Sequence, residues 1–450
     1  MRGSVSFAVI VNLFVFIVSQ RQGGPPPVYR TEVNPKPLDI ILGAPTDNSI
    51  TASVRSQRIG NVQFSVFQDD KKIYDTSVEI AETSKPVPLL LDHLRSSTSY
   101  SYTATFQSGD NKSEALKGSF VTARKRGASF TFDIQADSHL DGNTNVLVYE
   151  NTLKNMIADR PDFLVDLGDT FMVDKYKVYQ DSIKQYDAQR YWFSVVGLTM
   201  PVFLCLGNHD GETGWAQRSG IGTSDWCREQ RQLRFPVIKP SKFYSGAPAK
   251  GLYYSFEWGD ALFLVLDPFV ATTRKPRSDD DGWNWTLGDA QYKWLEKTVA
   301  NTKSKYKFVF IHHLVGGLGR DARGGVEGVS NYEWGGSKEF NKYRPQWTMP
   351  IHDLFVKNHV TAVFHGHDHL YCRQEKDGLL YIEVPQPGQP RENAINSAEE
   401  YGYKSGKLLG SSGHVRVSVG PEKGAIEYVR SKLTSGNREI ADRVEIQPGH

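Results

Sequence analysis

The chain has 450 residues, with 53 Lys+Arg against 51 Asp+Glu and a formal net charge of +2. That length implies two or three domains, and the near-neutral balance excludes the broad basic surface of an electrostatic nucleic-acid binder. A hydrophobic share of 39% with 12% aromatics supports a large core, whereas three cysteines (Cys205, Cys227, Cys372) are too few for a disulfide-built fold.

In chain order, Met1-Arg2 precedes an apolar run from Val5 to Val18, and Ser19 offers a small residue before Gln20-Arg21-Gln22. This is the pattern of a secretory signal over residues 1–20, and the run falls short of the ~20 apolar residues of a membrane span. The mature chain is therefore expected outside the cell or in a periplasm, with no stable membrane span. Residues 28–123 read as short alternating strands, among them Ser49–Val54, Val62–Phe67 and Tyr100–Phe106, separated by turn formers. Such spacing suggests an all-β sandwich. It carries no visible catalytic constellation, so a spacer or orienting role is its default.

Arg124-Lys125-Arg126-Gly127 then leads into a different rhythm, an α/β domain expected over residues 127–432. Strands are expected at Ser129–Ile134, Phe163–Leu167, Val202–Leu206, Lys307–Ile311 and Val360–Phe364. Helices are expected at Val146–Ala158, Lys175–Val196, Gly288–Asn301 and Pro350–Lys357. In such layered domains the sites lie just past strand ends.

The polar residues fall at those junctions. Asp137-Ser138-His139, Gly168-Asp169, Gly207-Asn208-His209-Asp210, His312-His313 and Gly366-His367-Asp368-His369 each follow an expected strand. Asp, His and Asn form the ligand set of hard-to-borderline divalent metals, and glycine lets the backbone turn sharply beside a site. Any one block alone is an ordinary loop. Asp166 is expected to hydrogen-bond the site from behind, and His352, His359 and His365 read as structural. Cys205 reads as a buried inert thiol; Cys227 and Cys372 are open as a pair.

The ordered set resembles the calcineurin-like metallophosphoesterase superfamily, whose signature runs D-x-H, G-D, G-N-H-[D/E], a lone His and G-H-x-H. The resemblance implies a four-layer α/β/β/α domain with two divalent ions (Mn, Fe or Zn). Asp137, His139 and His369 would hold the first ion, Asp169 would bridge, and Asn208, His312 and His367 would complete the second site. A bridging carboxylate suits the ~3.5–4 Å ion separation of two-metal catalysis. The resemblance also puts His209 beside the leaving group, with Asp210 able to orient its ring. His313, Arg320 and Arg323 are candidate substrate contacts. The two arginines sit in a long glycine-rich stretch, Gly316–Pro350, that begins just after His312.

The sandwich ahead of this domain resembles a fibronectin type III module at Leu91-Asp92-His93-Leu94, Thr98–Tyr102 and Gly118–Thr122. The combination is similar to purple acid phosphatases, with two departures. His139 stands where they have Gly, and Met172 stands where they have the iron-binding Tyr. That favours a divalent pair over a ferric centre. The implied function is an exported phosphoesterase acting on small phosphate esters through a metal-activated hydroxide, with monoesters favoured over small-molecule or nucleotide diesters. A non-catalytic extracellular binding or adhesion protein is the rival from another class, and it would show gaps in the donor set.

Overall fold

The computed structural model describes residues 28–109, 111–112, 115–218, 222–276, 279–315, 324–336, 338–391 and 395–449. The expected signal over 1–20 and the candidate contacts Arg320 and Arg323 lie outside the described residues.

The N-terminal unit is an all-β sandwich. Leu38–Gly43, Ile50–Ser56 and Val87–Leu91 form one antiparallel sheet. The other runs Lys71–Ile80, Gly60–Gln68, Ser99–Ser108, with the last strand also pairing Leu116–Val121. Alternation along each strand turns Ile40, Leu42, Ala52 and Val54 from one sheet toward Val62, Phe64, Val66 and Phe106 from the other.

Two larger sheets build the second unit. The six-stranded sheet has the order Val202–Leu204, Leu164–Asp166, Phe130–Gln135, Gly413–Val419, Gly424–Arg430, Ile440–Ile446. Its first three strands are parallel and the rest antiparallel. It runs past residue 432, where the sequence reading ends the domain, because Ile440–Ile446 pairs along Gly424–Arg430. In the eight-stranded sheet, Ala261–Val265, Tyr306–Phe310, Ala362–His365 and Leu379–Glu383 form a parallel centre.

The sheets meet through phenylalanines. Phe132 packs on Phe263 and Phe308 with ring centroids 5.0 and 5.3 Å apart, Phe163 lies 5.2 Å from Phe263, and Phe203 stacks on Phe256 at 4.4 Å. Edge-to-face and offset geometries of this kind add to area burial. The opposite face of the Phe130–Gln135 strand turns to helix Val146–Asp159, where Gln135 Nε2 donates to the Tyr149 hydroxyl at 3.3 Å. That helix starts on Asn145, whose side chain accepts the N–H groups of Leu147 and Val148. Helices Gly288–Asn301 and Ile351–Lys357 bury Tyr292, Leu295, Leu354 and Phe355 in the same core. The layers are therefore helix, sheet, sheet, helix.

Helix Ile183–Val196 starts later than expected. Met172 adopts a left-handed conformation (φ 48°), and two 3₁₀ turns, Val173–Lys175 and Tyr179–Ser182, fill the segment before it. All three cysteines are buried and free, so Cys227 and Cys372 are not joined. Among the described residues, no helix is long and apolar enough to cross a membrane.

Candidate metal centre

The parallel strands of both sheets deliver their C-terminal ends to one cleft. From the six-stranded sheet come Asp137 and His139, then Asp169, then Asn208 and His209; from the eight-stranded sheet come His312, His367 and His369. The backbone there is unusual. Asp137, His139, Asp169, His367 and His369 all have positive φ, between 44° and 83°. A left-handed non-glycine residue costs roughly 1–2 kcal/mol, so five at one cleft mark a function that holds them there. Gly207 is obligatory for a steric reason: a Cβ on it would lie 2.0 Å from the Asp169 backbone nitrogen.

Two groups of side chains in the cleft lie close enough to hold metal ions: Asp137 with His139 and His369, and Asp169 with His312 and His367. In the first, Asp137 Oδ1 is 3.6 Å from His139 Nε2 and 3.7 Å from His369 Nε2. In the second, His312 Nε2 is 3.2 Å from both Asp169 Oδ2 and His367 Nδ1. Asp169 Oδ2 also lies 3.7 Å from His139 Nε2, which places this oxygen between the groups. Asp137 Oδ1, His139 Nε2 and Asn208 Oδ1 are buried without a hydrogen-bond partner. Unmet buried atoms of this kind cost about 1–3 kcal/mol each, and these three are of the types that ligate divalent ions. The residues fit such ions.

Neighbouring groups orient the donors. His312 Nδ1 bonds the Leu167 carbonyl at 3.0 Å, which leaves Nε2 as the free lone pair. Asp141 Oδ2 lies 3.4 Å from His139 Nδ1 and does the same there. Behind the loops, Asp166 accepts from Gln135 Nε2 (2.8 Å) and Thr170 Oγ1 (2.7 Å), as expected of it. His365 Nδ1 lies 2.5 Å from Glu383 Oε2, and Glu383 Oε1 accepts the Asp368 backbone N–H at 2.9 Å, bracing the His367–His369 turn.

Carboxylates and imidazoles in the cleft stabilise one another's charged forms. Although burial opposes it, Asp137 is held well below the usual carboxylate range by His139 and His369. Asp169 is likewise depressed against burial, by His209 and His312. Burial opposes charging of His312 too, yet Asp169 and Asp137 raise it to about 9. The carboxylates draw positive charge to this point, and that is the field a cation would meet.

One expected role moves to another residue. Asp210 does not orient His209. Its two oxygens accept the backbone N–H groups of Gly207 (2.7 Å), Asp169 (3.1 Å), Thr170 (2.8 Å) and Phe171 (2.8 Å). A side chain turned back into its own loop has no reach to the neighbouring ring. The ring partner is Asp174, whose Oδ1 is 2.7 Å from His209 Nδ1. No sequence block contains Asp174, because the left-handed Met172 and the turn at Val173–Lys175 bring it back toward the cleft.

A cavity of about 410 Å³ opens over the donors, walled by His209, His313, Lys275, Trp285 and Tyr401. His313 faces this space since the strand ends at Phe310 and alternation no longer turns it away from His312; both rings lie 5.0 Å from His367. Lys275, Trp285 and Tyr401 carried no sequence signal, being isolated loop or helix-end residues.

A third group, Asp133, Asp159 and His414, also lies within ligand reach, under helix Val146–Asp159. Its charge is already balanced. Arg416 and Arg438 contact Asp159 Oδ1 at 2.7 and 2.6 Å, and His414 bonds its other oxygen at 2.7 Å. Burial, with Asp159 nearby, pushes Asp133 well above the carboxylate range. We read this group as a structural link between helix and sheet.

Comparison with known proteins agrees with this geometry. The structure of PhoD matches with a TM-score of 0.67 at 14% identity, over 91% of this chain and 90% of that one. The purple acid phosphatase PPD1 from yellow lupin (Lupinus luteus) seeds matches with a TM-score of 0.63 at 14% identity, over 93% of this chain and 76% of that one. At such identity the likeness concerns the fold. A search of curated proteins finds no match. The calcineurin-like phosphoesterase model matches residues 130–371, the segment that supplies every donor in the cleft. Strand order, donor positions and family model converge: the chain belongs to the calcineurin-like phosphoesterase family.

Proposed function

We propose that the chain is an exported two-metal phosphoesterase that hydrolyses small phosphate esters, monoesters by preference. The observation that carries it is the pair of adjacent donor groups with Asp169 Oδ2 3.7 Å from His139 Nε2 of the first, and His209 on the cavity wall beside them. In this reading Asp137, His139 and His369 hold one ion, Asn208, His312 and His367 the other, and Asp169 both. Bound there, two divalent ions of the Mn, Fe or Zn kind supply Lewis acidity and lower the pKa of water. Met172 in place of a tyrosine supports a divalent pair. Lys275 on the cavity wall suits the second negative charge of a monoester. Export rests on the apolar run Val5–Val18.

His209 acts on the leaving group. Asp174 can only accept, so the Nδ1–H of His209 points to it and Nε2 faces the cleft, 3.8 Å from Asp169 Oδ2. Nε2 is placed to pass a proton to the departing alkoxide, and Asp174 holds the ring in that orientation. His209→Ala is expected to lower kcat about a hundredfold on an alkyl phosphate, where the leaving group needs a proton, and far less on a nitrophenyl ester. Asp174→Asn is expected to show the same substrate dependence at about a tenfold loss. Equal losses on both esters, read from steady-state rates, would remove the proton-donor role.

The whole reading is tested by metal quantification of the purified protein together with rates on a phenyl monoester and a bis-phenyl diester. Two ions per chain and chelator-sensitive monoester hydrolysis are expected. A faster diester rate would reassign the substrate class, and a metal-free, inactive protein would favour a binding role.

A further inference from the structure

The sandwich is built into the cleft through two adjacent residues of helix Ile183–Val196. Arg190 is fully buried. Among the described residues its guanidinium meets the sandwich and the end of one other helix: Asp39 Oδ1 at 2.7 Å, Ser53 Oγ at 2.9 Å, the Ser53 carbonyl at 3.0 Å, and the Arg234 carbonyl. Asp39 also holds Arg55 at 2.7 Å, so the anchor is a buried ion network rather than one contact. The sandwich grips the end of the same helix as well. Leu42 N–H donates to the Gly197 carbonyl at 2.9 Å, and Ser119 N–H and the Tyr102 hydroxyl both donate to the Leu198 carbonyl at 3.1 Å. The approach is close enough that a Cβ on Gly118 would lie 2.4 Å from that carbonyl oxygen.

Gln189, one residue before Arg190, is also fully buried and looks toward the cleft. Its Nε2 donates to Ser138 Oγ at 2.8 Å and to the Thr170 carbonyl at 2.9 Å. Ser138 stands between Asp137 and His139, and Thr170 follows Asp169, so one amide group ties the loops of both donor groups.

We propose that the N-terminal sandwich is a working part of the metal centre: through Asp39, Arg190 and Gln189 it fixes the spacing of the Asp137–His139 and Asp169 loops and so sets metal affinity. Gln189 and Arg190 are positioning residues. The inference rests on the two-metal reading. Outer partners of metal ligands typically change affinity about 10–100-fold when lost, and here the outer partner is itself held by another domain.

The test is a double-mutant cycle read by titrating metal-free full-length protein with Co²⁺ and following its visible absorption. Asp39→Asn and Gln189→Met are each expected to weaken Co²⁺ binding about tenfold and to alter the band shape. The double variant is expected to be no weaker than the weaker single, because both cut one chain of contacts. Ser53→Ala, a milder cut at the Arg190 anchor, should weaken binding in the same direction if Asp39→Asn folds poorly. Multiplying effects, or a lowered melting temperature with wild-type Co²⁺ affinity, would overturn the coupling. Amide exchange of the metal-free protein reads the coupling without any ion: Asp39→Asn should speed exchange at residues 137–140 and 169–171, and unchanged exchange there overturns it. A wild-type protein that takes up no Co²⁺ would sink the two-metal reading and the effect on metal affinity with it, while the exchange result still decides whether the sandwich holds the two loops.

Discussion

Asp169→Asn is expected to lower hydrolysis by on the order of a thousandfold and to drop bound metal from two ions per chain to one or none. Asp169 Oδ2 lies 3.2 Å from His312 Nε2 and 3.7 Å from His139 Nε2, one histidine from each donor group. A neutral amide presents one oxygen and no charge, so it cannot offset the repulsion of two adjacent cations. The fold should survive, since Asp169 Oδ1 accepts the His209 N–H at 2.7 Å and an asparagine oxygen can keep that bond. Elemental analysis and steady-state rates on the purified variant decide the matter: two ions retained with near wild-type turnover would end the bridging role.

Asp210→Ala should act in the other order, through folding first. The buried carboxylate meets four backbone N–H groups of two loops, and alanine leaves all four without an acceptor. An unmet buried donor costs about 1–3 kcal/mol; with partial relaxation the loss should reach about 4 kcal/mol. Urea denaturation of metal-free protein measures this directly, and a loss below about 1 kcal/mol would show that the loops do not depend on the carboxylate. Burial and the nearby Asp169 carboxylate push Asp210 up to about 7, with the N–H groups pulling the other way. The contrast with Asp174 is then sharp: one aspartate supports the loop, the other supports the ring of His209.

These two aspartates also show what could be read from the sequence. The donor set was legible because each metal-ligand block is local: a strand ends, the chain turns (at a glycine in three of the five blocks), and the ligands follow within four residues. The sandwich was legible from strict alternation. Asp174 was not, because a left-handed residue and a 3₁₀ turn, rather than any periodic element, return it to the cleft. Gln189 and Arg190 were hidden for a different reason. Both sit in an amphipathic helix where burial is expected, and nothing in a linear pattern says that one faces a metal loop and the other a separate domain. The strand Gly413–Val419 alternates as His414, Val415, Arg416, Val417, Ser418 and was legible in principle, but it lies beyond the last motif block.

The phenylalanine seam has a consequence for how variation in this protein should be interpreted. Four of the seven candidate ligands hang from one sheet and three from the other, and the interdigitated rings of Phe132, Phe163 and Phe203 against Phe256, Phe263 and Phe308 help to set the gap between them. A change of side-chain volume at the seam shifts one sheet against its partner, since close-packed interiors transmit strain instead of absorbing it. Positions far from the cleft thereby become tuning positions for it, and an apparently conservative core replacement can alter catalysis while the protein still folds.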